Sequence, residues 1–228
     1  MGRELSDFNY PEAKRIITVS FTSKEIITTI TEDNGKINEM KFLLFIIGLA
    51  LFGKYRVLAE IIRYGIDKGV IKEKISEALL TMSIFSGWPA TLNALHILST
   101  IAGELNIRYK KSGAYGYNNG VRYGEQAMKL MYGKQFYETV NELRRYGNDF
   151  ENFIFDSYSA CVGDALTPKQ KELIATFILS LSGMKKLLEV HIKNLINNGA
   201  SPKDINSVYE IIEKYRKKMK MNGLMDKN

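Results

Sequence analysis

A glutamate and a histidine in the C-terminal half of the chain are the residues best suited to chemistry. Glu172 and His191 lie 19 positions apart in a segment whose other residues are mostly apolar and spaced as in helices. His191 is one of only two histidines among 228 residues. A carboxylate beside an imidazole orients the ring and tunes its proton affinity, which suits the pair to acid–base work near neutral pH. We therefore take these two residues as the candidate site; the alternative is a buried histidine whose role is structural.

Two helices joined at Gly183 must position this pair. Glu172 precedes the glycine by eleven residues and His191 follows it by eight. At a rise of about 1.5 Å per residue, the two lie about 16 and 12 Å from the bend, so antiparallel helices bring them to nearly the same height. Apolar residues at helical spacing predict the face of each helix that packs inward. They are Leu173, Ile174, Phe177, Ile178 and Leu181 before the glycine, and Leu187, Leu188, Ile192, Leu195 and Ile196 after it.

The composition predicts a mainly helical globular protein with a sizeable core. Hydrophobic residues make up 45% of the chain and charged residues 25%, and there are only four prolines. Such a length allows one large domain or two small ones. Cys161 is the single cysteine, which excludes an intrachain disulfide and CxxC chemistry. Together with a charged N-terminal segment that lacks an apolar core, this favours a cytoplasmic protein without a secretory signal.

Several partner classes are not expected from this sequence. The most apolar run, residues 42–52, is too short to span a bilayer, so we predict a buried helix there and no membrane association. The net charge of +7 comes with no interleaved aromatic and basic residues, so nucleic-acid binding is not expected. His96 and His191 are too far apart in sequence to predict a metal site, and His96 is expected to pack within its helix.

The apolar periodicity and the positions of glycine and proline predict a series of helices. Residues 15–21 have the β-branched content of a strand, and a glycine-rich stretch over 110–123 is predicted to be a linker. Helices are predicted over 23–33, 38–53, 55–68, 72–85, 91–105, 125–132, 134–146, 150–162, the hairpin within 166–199, and 202–219.

An internal repeat is visible when the chain is shifted by 130 residues. This shift pairs Gly53 with Gly183, Gly69 with Gly199 and Lys41 with Lys171, along with several leucines and isoleucines. The coincidence predicts two copies of one helical unit. Their ranges are 23–109 for the first copy, 110–123 for the linker and 124–222 for the second copy.

The two copies differ at the candidate site. Phe42 and Ile61 of the first copy occupy the positions of Glu172 and His191 in the second. Only the second copy therefore keeps a Glu/His pair, and the first is degenerate at these positions.

Three segments resemble the carboxymuconolactone decarboxylase family, which also contains the alkylhydroperoxidase D-like proteins. They are LTPKQKELIA from Leu166, HIKNLINNGASPKDI from His191 and FSGWPATLNAL from Phe85. The resemblance covers about residues 38–212 and implies an all-α fold built from a duplicated alkylhydroperoxidase D-like helical unit. It also implies a homo-oligomer, and for a two-copy chain a trimer. Glu172 and His191 match the positions where the family places its proton-transfer glutamate and histidine.

The resemblance implies cofactor-free decarboxylation of a small lactone carboxylic acid, which would make the protein a carboxy-lyase. His191 would be the general acid and Glu172 would orient it. The alternative is a non-catalytic helical oligomeric or ligand-binding member of the family. Thiol antioxidant chemistry is disfavoured because Met184 and Leu187 occupy the positions of the family's CxxC pair.

Overall fold

A computed structural model describes residues 20–104, 120–145, 147–159, 163 and 165–221. These residues form eleven α-helices and no β-strand, apart from an isolated bridge between Thr31 and Ile37, so the predicted all-α fold is confirmed. The helices are α1 (Ser23–Ile30), α2 (Glu39–Leu51), α3 (Tyr55–Asp67), α4 (Lys72–Ser86), α5 (Trp88–Glu104), α6 (Gly120–Tyr132), α7 (Phe136–Arg144), α8 (Asn148–Tyr158), α9 (Pro168–Leu181), α10 (Lys185–Asn197) and α11 (Pro202–Met221).

Helix α2 lies at the centre of the main core. All its residues from Phe42 to Ala50 are buried, because α1, α3, α4, α5, α9 and α11 pack around it. Each fully buried Leu, Ile or Phe side chain contributes about 1.5–3 kcal/mol to folding, so this helix anchors the bundle. The predicted buried helix is confirmed. Within the described ranges, no helix is long and apolar enough to cross a membrane.

A smaller second core lies where α6, α7 and α8 meet. Helices α6 and α8 approach so closely that a Cβ atom on Gly124 would lie 1.4 Å from the carbonyl oxygen of Phe155. This layer joins the main body through contacts of α6 with α9 and α10. Its buried side chains are Ala127, Met128, Met131, Tyr132, Phe136, Val140, Phe155 and Tyr158.

The hairpins α2–α3 and α9–α10 have nearly the same bounds at the 130-residue offset. Adding 130 to both ends of α3 gives both ends of α10, and α2 and α9 differ by one residue at their first position. Their turn glycines, Gly53 and Gly183, have positive φ angles of 63° and 70°. The predicted hairpin at Gly183 is thus confirmed. The two-copy organisation and its domain limits stay a prediction.

Several predicted boundaries are wrong. Helix α1 begins at Ser23 as predicted, after Thr22, whose hydroxyl accepts from the amide of Glu25, but it ends at Ile30 rather than 33. Helix α5 begins at Trp88 rather than 91, so Pro89 is its second residue. Proline is tolerated there because the N–H groups of the first turn make no hydrogen bond within the helix. Helix α6 begins at Gly120, inside the predicted linker, where packing on α8 outweighs the low helix propensity of glycine. Residues 105–119 and 160–162, with Cys161, and residues 1–19 lie outside the described part of the chain.

Candidate functional site

Five helices bring side chains together around His191. Helix α9 carries Glu172, and it begins at Pro168 because Thr167 and Gln170 form a capping box ahead of it. The turn at Gly183 returns the chain as α10, which carries His191. Helices α4, α6 and α8 close the site from the other side.

Glu172 and His191 contact each other directly. Their Oε2 and Nδ1 atoms lie 2.7 Å apart, and both side chains are 0% exposed. The ring of Phe85 meets the imidazole edge-on, with centroids 5.1 Å apart. The structure therefore brings the two sequence-predicted residues together in a fully buried position between helices.

Burial changes the acid–base properties of this pair. Loss of water around the carboxylate raises the pKa of Glu172 above its ordinary value, and the neighbouring His191 charge and hydrogen bond only partly oppose this. The Asn194 side chain also interacts with Glu172 and lowers its pKa, but by less than burial raises it. A carboxyl with a raised pKa can hold and release a proton closer to neutral pH than an exposed one.

Two buried tyrosines extend the hydrogen-bonded chain beyond the histidine. The Tyr132 hydroxyl lies 3.1 Å from His191 Nε2 and 2.8 Å from the hydroxyl of Tyr158. The two tyrosines are 2% and 3% exposed. Sequence analysis missed both, because Tyr132 lies 59 positions from His191 and nothing in a single sequence distinguishes it among thirteen tyrosines.

The inward face of α10 differs from the predicted apolar stripe. His191, Asn194 and Leu195 are its buried residues, whereas Leu187 and Ile196 are exposed. Asn194, Leu195 and Asn198 follow His191 by three, four and seven residues, so all four lie on one face of the helix. The Asn198 side-chain amide donates to the carbonyl of Met131 on α6. The prediction for Leu187 and Ile196 was wrong because apolar type alone does not say which side of a helix meets its neighbours.

Other residues considered from sequence lie away from this centre. Met184, at one of the two positions of the family's CxxC pair, is exposed at the start of α10. His96 is exposed on α5, so the expectation that it packs within the helix was wrong. No group of three or more His, Cys, Asp and Glu side chains with metal-binding geometry occurs among the described residues.

A second buried ionic contact lies next to the site and was also missed. Lys171 Nζ is 2.7 Å from Glu77 Oε1 on α4, and both side chains are buried. Glu77 Oε2 accepts from the amides of Ala165 and Leu166, and Lys171 donates to the carbonyl of Gly163. This cluster, which we call the Glu77–Lys171 clamp, fixes the segment that leads into α9. Lys171 directly precedes Glu172, so the clamp also helps to set the position of the site.

Part of the chain matches a known protein family. Residues 146–224 match the Carboxymuconolactone decarboxylase family. The matched region runs from α8 through α11 and includes Glu172, His191 and Tyr158, whereas Tyr132 lies outside it. No curated protein matches the chain.

Proposed function

We propose that the chain catalyses cofactor-free decarboxylation of a small lactone carboxylic acid, on the premise of the match between residues 146–224 and the Carboxymuconolactone decarboxylase family. His191 is the general acid and Glu172 orients it. The observation that carries this proposal is the 2.7 Å contact between the Glu172 carboxylate and the His191 ring in a fully buried position.

The proposed reaction needs one proton and no redox partner. The bond between the substrate carbon and its carboxylate breaks, CO₂ leaves, and the electron pair stays on the carbon as a carbanion or dienolate. His191 supplies the proton for the new C–H bond. The Nδ1–H group of His191 donates a hydrogen bond to the Glu172 carboxylate, which stabilises the imidazolium form until the proton is delivered. The histidine afterwards recovers a proton from water.

The direct test is turnover in D₂O with candidate lactone acids, measured as CO₂ release and as deuterium at the carbon that lost its carboxylate. His191→Ala and Glu172→Ala should each lower turnover by about 10² or more, as loss of a general acid or its partner does. His96→Ala and Glu189→Ala are matched controls, because both residues are exposed. Circular dichroism verifies that the variants are folded. Wild-type turnover in either site variant would remove the assignment.

A second candidate is a non-catalytic ligand-binding or structural member of the family. What favours it is that both ring nitrogens of His191 already have protein partners and the side chain is 0% exposed. A thermal-shift screen of small carboxylic acids against wild type and His191→Ala separates the two candidates. A ligand that stabilises only wild type without CO₂ release supports binding alone, whereas CO₂ release supports the enzyme.

We also propose that the chain assembles as a homo-oligomer, with a trimer as the expected form for a two-copy chain. Light scattering on purified protein tests this against the 26.0 kDa mass of one chain. Thiol antioxidant chemistry has little support, because Met184 and Leu187 offer no sulfhydryl at the positions of the family's cysteine pair.

A further inference from the structure

The burial of His191 limits the groups with which its ring can exchange a proton. Its side chain is 0% exposed, and among the described residues its ring nitrogens bond only to Glu172 and Tyr132. The carboxylate holds Nδ1, so Nε2 is the nitrogen that can exchange a proton with anything else. The only hydroxyl within hydrogen-bonding distance of Nε2 in the described part of the chain is that of Tyr132.

We propose that Tyr132 and Tyr158 form a proton relay that connects His191 to the end of α8. This inference rests on the proposed proton-transfer function and adds two residues to it. Tyr132 acts on the proton of His191, and Tyr158 is the next hydroxyl in the line, 2.8 Å further on. Both tyrosines come from helices other than the α9–α10 hairpin, so the relay depends on the second core layer.

The relay works because each hydroxyl donates one hydrogen bond and accepts another. In the delivery step, the Nε2–H bond of His191 breaks as Tyr132 accepts the proton on its oxygen. Tyr132 passes its own hydrogen to Tyr158, and Tyr158 passes its own to the carbanion carbon of the substrate. One proton has moved from the histidine to the substrate, and both tyrosines end neutral. No oxidant or reductant takes part.

Packing holds the relay in one geometry. The Tyr132 ring meets the imidazole edge-on with centroids 5.3 Å apart, and it meets the Tyr158 ring in the same way at 6.0 Å. Both contacts restrain the Tyr132 hydroxyl between its two partners. Burial also keeps bulk water from replacing either hydrogen bond, which preserves the order of the chain.

The opposing explanation is that the two hydroxyls only satisfy buried polar groups, as nearly all buried hydroxyls do. The two explanations predict opposite changes in exchange of the His191 ring hydrogens with D₂O, followed by NMR on ¹⁵N-histidine-labelled protein. A relay hydroxyl is a route for exchange, so Tyr132→Phe should slow it by about tenfold or more. If the hydroxyl only satisfies a buried polar group, Tyr132→Phe should leave the exchange rate unchanged or raise it, because loss of the hydroxyl loosens the packing around the His191 ring.

Tyr158→Phe is the second variant, since it removes the next hydroxyl without taking the partner from His191. It should slow exchange in the same direction by a smaller factor. Tyr137→Phe is the matched control, because Tyr137 is 71% exposed on α7. Slower exchange in both relay variants but not in the control supports the relay. Unchanged or faster exchange in Tyr158→Phe overturns it, even if Tyr132→Phe is poorly folded.

Activity measurements separate this inference from the proposed function. If wild type releases CO₂ from a lactone acid, Tyr132→Phe should lower turnover by about 10² and change its pH profile. Full turnover in Tyr132→Phe would overturn the relay while leaving the Glu172–His191 proposal intact. If wild type releases no CO₂ but both variants slow ring-hydrogen exchange, the relay stands and the decarboxylation proposal fails.

Discussion

Removing one member of the Glu77–Lys171 clamp should destabilise the protein far more than removing an exposed charge. The perturbations are Glu77→Gln, Lys171→Met and the two combined. Glu77→Gln leaves the buried Lys171 ammonium without its carboxylate, and Lys171→Met leaves a buried carboxylate without its cation. A buried charge that loses its partner is poorly solvated in the protein interior, so each single variant should weaken folding.

The expected loss follows from burial and from the remaining hydrogen bonds. Breaking a buried ion pair by removing one partner costs about 3–5 kcal/mol. Lys171→Met should fall at the lower end, because two backbone amides still donate to Glu77. Glu77→Gln should fall at the upper end, because it weakens those bonds as well. The combined variant buries no net charge, so its loss should be smaller than the sum of the single losses by about 2–3 kcal/mol.

Urea unfolding followed by circular dichroism measures these losses at a fixed chain concentration, since assembly makes the apparent stability depend on concentration. The matched control is the pair Glu142–Arg145, whose side chains are 58% and 74% exposed. Glu142→Gln and Arg145→Met should each cost less than about 1 kcal/mol. The argument is refuted if Glu77→Gln costs no more than the control, or if the two clamp variants are additive.

Two further predictions concern the site and the second core. Burial raises the pKa of Glu172, so the folded chain keeps this proton where the unfolded chain, with a pKa near 4.5, loses it. This stabilisation is complete below pH 4.5 and is lost as the pH rises through the folded pKa, by about 1.4 kcal/mol per unit of pKa difference. Urea unfolding across pH should therefore give a flatter profile for Glu172→Gln, and parallel profiles would contradict the burial argument. Gly124→Ala should lower the melting temperature, because the new methyl overlaps the Phe155 carbonyl and overpacking costs about 1–3 kcal/mol or more. The exposed Gln126→Ala is its control, and equal melting temperatures would show that α6 can shift without cost.

The helices and the hairpin at Gly183 could be predicted because their determinants are local. Apolar spacing, a capping threonine and a turn glycine all act within a few residues. The contact between Glu172 and His191 followed from the same local geometry, since counting residues from the bend gives their heights. Local geometry does not give the chemical roles of Glu172 and His191, which remain part of the proposed function.

The tyrosine relay and the Glu77–Lys171 clamp could not be predicted because their contacts span the chain. Glu77 accepts from an amide 89 positions away, and Tyr132 reaches His191 across 59. Such contacts depend on how α4 and α6 pack against α9 and α10, and no spacing within a segment reports that. The predicted inward face of α10 was wrong for the same reason. The neighbouring helices pack against the side with His191 and Asn194, and Ile196 is exposed.

The two hairpins together argue that the polar pair is not a requirement of the fold. At the 130-residue offset, Phe42 and Ile61 stand where Glu172 and His191 stand, and all four side chains are 0% exposed. The first hairpin therefore packs with apolar residues at both positions. A buried carboxyl costs stability that a phenyl ring does not, because it loses its hydration, and the same desolvation raises the pKa of Glu172. On the predicted repeat, the second hairpin thus carries a less stable arrangement than the first at the matching positions. Ionisable groups kept in such a position are typical of sites that use their protons.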